Sequence, residues 1–68
     1  MKPFELRLAE LHSRNSRHLR NLENFMADKA RLSRISKEEQ TLLEHQVSLM
    51  HSLETVLESR MIIHNIPV

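Results

Sequence analysis

The segment His12-Ser13-Arg14-Asn15-Ser16-Arg17-His18-Leu19-Arg20-Asn21 gathers three arginines, two histidines and two asparagines within ten residues. Guanidinium groups donate paired hydrogen bonds in a fixed fork, which suits phosphates and carboxylates. On a helix Arg14, Arg17 and His18 share one side and Arg20 lies further round. Arg14, Asn15, Arg17, His18, Arg20 and Asn21 are therefore candidate ligands for an anion. The competing reading is a solvated helix face whose arginines pair with glutamates of a neighbouring helix. Gln46 and Arg60 are the other candidates, because both interrupt an otherwise apolar helix face. Fourteen residues separate them, nearly four helical turns, so they point the same way. A desolvated, unpaired charge costs several kcal/mol. Arg60 thus needs either an intersubunit salt bridge, for instance to Glu5 or Glu10, or an anionic ligand held between subunits.

Other chemistry has less support. The five histidines, His12, His18, His45, His51 and His64, include no pair at i and i+4, and cysteine is absent. No metal site is expected on that basis, a bridge from His18 to His51 across a hairpin being the one arrangement open. No Ser/His/Asp spacing, carboxylate pair or glycine loop supports catalysis, so neither an enzyme nor a cofactor is expected. The net charge of +1 and the lack of a long basic stretch argue against duplex nucleic acid as a partner.

These side chains need elements to carry them. Glycine is absent, and the only prolines, Pro3 and Pro67, stand near the two ends. Nothing between them forbids a helix, and strong helix formers dominate. Pro3 and Glu5 suit a helix start. Phe4, Leu8, Leu11, Leu19, Leu22 and Met26 then recur at helical spacing, with Asn15 completing the series. Helix 1 is read as about 3–31. The pattern breaks over 32–36, where Ser36 and Glu39 form a capping box. Helix 2 is read as about 37–64, with a tail at 65–68 whose apolar residues dock. The short connection makes the helices antiparallel neighbours. Charge agrees with that pairing: residues 1–36 hold eight Lys/Arg and four acids, residues 37–68 two and five. The whole chain, 1–68, is read as a single all-α domain, an antiparallel two-helix hairpin.

A chain of 68 residues has a core that contributes only about 3–5 kcal/mol, and with no disulfide available oligomerisation is the remaining support. Helix 2 has apolar rows Leu42/Leu49/Val56/Ile63 and Leu43/Met50/Leu57, with Gln46/Leu53/Arg60 between them. This face is wider than one helix can cover, and its excess is assigned to further copies of the chain in a homo-oligomeric helical bundle. Leu8, Leu11, Leu22, Met50, Leu53, Leu57 and Ile63 are the candidate interface residues. No apolar run approaches a membrane span, and no signal-peptide core stands at the N-terminus, so a cytoplasmic location is expected.

The segments Phe4-Glu5-Leu6-Arg7-Leu8, Leu22-Glu23-Asn24-Phe25-Met26 and Ile35-Ser36-Lys37-Glu38-Glu39-Gln40 are followed by Leu42-Leu43, Gln46, Met50, Leu57 and Arg60. Together they resemble a family of small phage-encoded helical proteins related to a crAss-phage gene product. The likeness covers nearly the whole chain. It departs where such sequences often carry an aromatic shortly after the methionine, since Leu53 and Glu54 stand there. A looser similarity is to phage proteins that sequester nucleotide signals of bacterial immunity. What this implies is a non-enzymatic homo-oligomer in the host cytoplasm that holds a cyclic nucleotide, or another phosphate-bearing ligand, at subunit interfaces. A helical adaptor that engages a host protein through its apolar face, and a structural bundle with no small ligand, are the other readings.

Overall fold

The computed structural model describes residues 2–68 and shows a helical rod of 44 × 15 × 15 Å. Its elements are α1 (Pro3–Ala27), a single-turn α2 (Lys29–Leu32) and α3 (Lys37–Ile63). α1 begins as the sequence leads one to expect. Pro3 occupies the first turn, where its missing N–H costs nothing, and the Glu5 carboxylate accepts from the Lys2 backbone N–H at 3.0 Å.

The first helix ends earlier than the expected residue 31. Asp28 leaves the helical region (φ −87°, ψ 94°), and its side chain accepts from the Arg31 N–H at 3.2 Å, restarting the chain as α2. Aspartate is among the best helix N-caps, so one side chain converts a continuous helix into two. The reversal that follows needs no glycine. Gln40 donates to the carbonyls of Leu32 (2.9 Å) and Ile35 (3.2 Å) across the turn, where the Ile35 N–H also donates to Leu32 at 3.2 Å. Ser36 Oγ then accepts from the Glu39 N–H at 3.1 Å and starts α3.

α3 ends in a Schellman motif built on an asparagine. Asn65 has φ 56°, the Ile66 N–H donates to the Met61 carbonyl (2.9 Å), and the Asn65 N–H donates to that of Ile62 (3.0 Å). This turn folds Ile66 back onto the hairpin, where it is buried with Leu8, Leu57 and Met61. The rings of Phe4 and His64 meet edge to face at 4.7 Å beside it. The expected docking of the tail thus rests on Ile66, whereas Ile62, Ile63 and Val68 stay exposed.

Between α1 and α3 the inner residues follow alternating steps of four and three. Leu8, His12, Asn15, Leu19, Leu22 and Met26 line α1; Leu43, Val47, Met50, Glu54, Leu57 and Met61 line α3, all of them buried or half-buried. Two assignments made from sequence change here. Leu57, 1% exposed, and Leu8, 3% exposed, belong to the core within the hairpin and leave no surface for a second copy. Leu22 and Met50 are half-buried along the same seam, while Leu11, Leu53 and Ile63 are exposed. No helix among the described residues is long and apolar enough to cross a membrane.

Candidate functional site

The seam divides the hairpin surface into two sides of different chemistry. On one side the acids are engaged by neutral or weakly basic partners. Glu54 is the centre of this cluster. One of its carboxylate oxygens accepts from Asn15 Nδ2 at 2.7 Å, and the other accepts from Ser16 Oγ and lies 2.7 Å from His12 Nε2. Asn15 Nδ2 also donates to the Met50 carbonyl at 3.2 Å. Desolvation alone would raise the Glu54 carboxyl. The hydrogen bonds from Ser16 and Asn15, with the charges of His12 and His51, outweigh it and hold the group below its ordinary value. Glu58 approaches His12 at 3.2 Å, and Glu23 lies 2.9 Å from His51.

His12, Glu54 and Glu58 bring three ligand-type atoms within 4.8 Å of one another, a donor set able to hold a divalent ion. Hydrogen bonding already accounts for their arrangement, because both Glu54 oxygens are occupied. The one arrangement that spacing left open, a bridge from His18 to His51, does not form: His51 meets Glu23, and His18 lies on the opposite side of the seam.

That opposite side is basic. Phe4, Arg7, Leu11, Arg14, His18 and Asn21 again step by three and four along α1, so they form one stripe. Three open clefts run beside it. A cleft of about 210 Å³ is lined by Phe4, Arg7, Leu8, Leu11 and Arg60. Next to it Arg7, Glu10, Leu11 and Arg14 line one of about 310 Å³. Towards the turn, His18, Asn21, Leu22, Phe25, Gln46 and Met50 line one of about 360 Å³. Among the described residues the ion pairs are those of His12, His51 and Arg31, so Arg7, Arg14 and Arg60 face these clefts with no carboxylate partner.

The candidates read from sequence therefore separate into three groups. Arg14, His18, Asn21, Gln46 and Arg60 line the clefts. Arg17 and Arg20 are exposed and line none of these three. Asn15 is buried, 8% exposed, and its amide is committed to Glu54 and Met50. Sequence reasoning missed Arg7 and Phe4, which precede the basic segment. The signal was present: Arg7 stands four residues before Leu11 and seven before Arg14, on the same stripe.

The fold and site define a small all-helical hairpin with a basic, aromatic-edged groove. The profile of the Sequestin family matches residues 2–63, and the chain belongs to that family. The family's name points to the sequestration of a molecule. Neither the curated proteins nor the solved structures offer a match.

Proposed function

We propose that this protein is a non-enzymatic, homo-oligomeric sponge that binds an anionic nucleotide, most concretely a cyclic nucleotide signal of bacterial immunity, and withholds it on behalf of a phage. The observation that carries this reading is the set of Arg7, Arg14 and Arg60, none of them in an ion pair, on two clefts edged by Phe4 and by Glu10, with a third cleft on the same face that presents His18, Phe25 and the amides of Asn21 and Gln46. Guanidinium groups match phosphate oxygens, the phenyl rings offer surfaces for a base, and carboxamides carry both donors and acceptors for base edges. Donors and acceptors for such a ligand line these clefts, whereas no nucleophile stands beside a base among their lining residues. The site therefore holds a ligand and leaves its bonds intact. The family membership and its name support sequestration as the outcome. The protein works in the host cytoplasm on this account, since its target is a diffusing signal.

Isothermal titration against a panel of cyclic dinucleotides, cyclic trinucleotides and NAD-derived cyclic nucleotides tests the proposal. Binding of one or more at micromolar protein is expected, and no heat with any member of the panel would overturn it. A second reading, a helical adaptor for a host protein, is favoured by the exposed Leu42, Leu49 and Val56 on α3. Retention of one host protein that survives high salt and is lost on Leu49→Glu substitution would favour the adaptor.

A further inference from the structure

α3 carries two heptad rows, and the hairpin uses only one of them. The row that faces α1 is Leu43, Val47, Met50, Glu54, Leu57 and Met61. One residue earlier at each step runs a second row, made of Leu42, Leu49, Leu53, Val56 and Ile63 and interrupted at Gln46 and Arg60. It has the same alternation of four and three as the first, which is the pattern of a helix-packing seam. Every member is exposed, Leu49 at 71% and Ile63 at 73%. A row of apolar residues at seam spacing over about 32 Å of helix is a surface made to be covered.

We infer that the second row packs against the same row of another copy, antiparallel, about a two-fold axis at Leu53. The pattern is its own complement in that arrangement. Leu53 meets the partner's Leu53, Leu49 meets the partner's Val56, and Leu42 meets the partner's Ile63. The two polar interruptions also coincide, because Gln46 falls opposite the partner's Arg60, so that its amide oxygen accepts from the guanidinium. A parallel pairing places Arg60 against Arg60 and Gln46 against Gln46, which buries two like charges together. The polar positions thus select orientation and register, a known use of single polar residues in helix seams.

This deepens the sponge reading and rests on it only for the ligand. Gln46 lines the cleft that holds His18 and Asn21, and Arg60 lines the one that holds Phe4 and Arg7. The antiparallel pairing brings the amide cleft of one chain to the guanidinium cleft of the other. Two equivalent composite sites result, each able to grip a phosphate from one subunit and a base edge from the other.

The chain has no cysteine, so single cysteines report the pairing without interference and without any nucleotide. Leu53→Cys, at an exposed position, is expected to give a disulfide-linked dimer on mild oxidation. Leu42→Cys alone should give none, because its partner's Leu42 lies at the far end of the row, whereas a mixture of Leu42→Cys and Ile63→Cys chains should cross-link. Gln46→Glu, which adds a carboxylate opposite the partner's Arg60, should tighten dimerisation about ten-fold by sedimentation equilibrium, and Gln46→Lys should weaken it by a similar factor. Circular dichroism confirms that each variant is helical. Efficient homotypic cross-linking of Leu42→Cys, or a wild-type protein that remains monomeric at high micromolar concentration, would overturn the inference. A monomer that still binds a nucleotide would overturn the pairing and the homo-oligomer, and leave nucleotide sequestration standing.

Discussion

The Asn15–Glu54 pair lies in the middle of the seam and can be tested by a double-mutant cycle. Asn15→Leu removes a 2.7 Å hydrogen bond to a carboxylate, a charge-assisted contact of about 1.5–3 kcal/mol. It leaves Glu54, a half-buried acid, facing a leucine. Glu54→Leu instead leaves one Asn15 N–H and the Ser16 hydroxyl without their acceptor, while the Met50 carbonyl still receives the amide, at a cost of about 1–3 kcal/mol. Each single substitution should therefore destabilise the protein by about 2 kcal/mol, a large part of the 3–5 kcal/mol available to a chain of this size. The double variant replaces both polar partners by apolar groups that suit the seam, and its net cost should be near zero. The coupling between the sites, the gap between the double variant and the sum of the two singles, is then about 4 kcal/mol. Urea unfolding followed by circular dichroism, at one fixed protein concentration, measures all four corners of the cycle.

Acid titration adds an independent arm. The folded Glu54 carboxyl is held below its ordinary value, so its contribution is complete above the unfolded-state pKa and is lost as pH falls through the lower, folded value. Wild-type stability should fall along that course, and the double variant should lack this component. Additive penalties with no coupling, or an acid profile identical in the two proteins, would refute this account of the seam.

Further outcomes follow from local geometry. Asn65→Ala should cost about 1 kcal/mol, because alanine resists φ 56°, whereas Asn65→Gly should be close to neutral in the same urea assay. Ile66→Ala should cost about 2–4 kcal/mol through the cavity left beside Leu57 and Met61. Gln40→Ala should lower the melting temperature by leaving the Leu32 and Ile35 carbonyls without their side-chain donor, a loss of about 1 kcal/mol. Arg7→Ala and Arg14→Ala lie outside the α3 rows, so each should weaken nucleotide binding about ten-fold or more while the sedimentation mass stays unchanged.

The hairpin and its ends were legible because local chemistry announces them. Pro3, Ser36 with Glu39, and the distribution of charge between the halves each carry a short-range signal. The interruption at Asp28 was harder to read, since an aspartate in a helical pattern announces a cap only once its backbone has left the helix. The partner face of α3 was ambiguous for a deeper reason. Leu43-Val47-Met50-Glu54-Leu57-Met61 and Leu42-Gln46-Leu49-Leu53-Val56-Arg60-Ile63 have the same period and similar apolar content. Periodicity cannot choose between them. The choice is made by contacts across the hairpin, where Asn15, Ser16 and His12 receive Glu54 and the returning tail seats Ile66 on Leu57. Periodicity alone therefore assigns Leu57 and Leu8 to an interface between copies, although they close the hairpin. The candidate site was half visible: Arg14, His18, Asn21, Gln46 and Arg60 carry the right chemistry, but Arg7 and Phe4 join them only when α1 lies against Arg60.

Recovery of a bound nucleotide tests the central claim most directly. The protein is incubated with the nucleotide panel, passed through a desalting column, heat-denatured, and the supernatant is read by mass spectrometry. The account predicts that at least one cyclic nucleotide co-elutes with the protein and is released with its mass unchanged. A supernatant without nucleotide, or one that contains only a cleaved product, would contradict it.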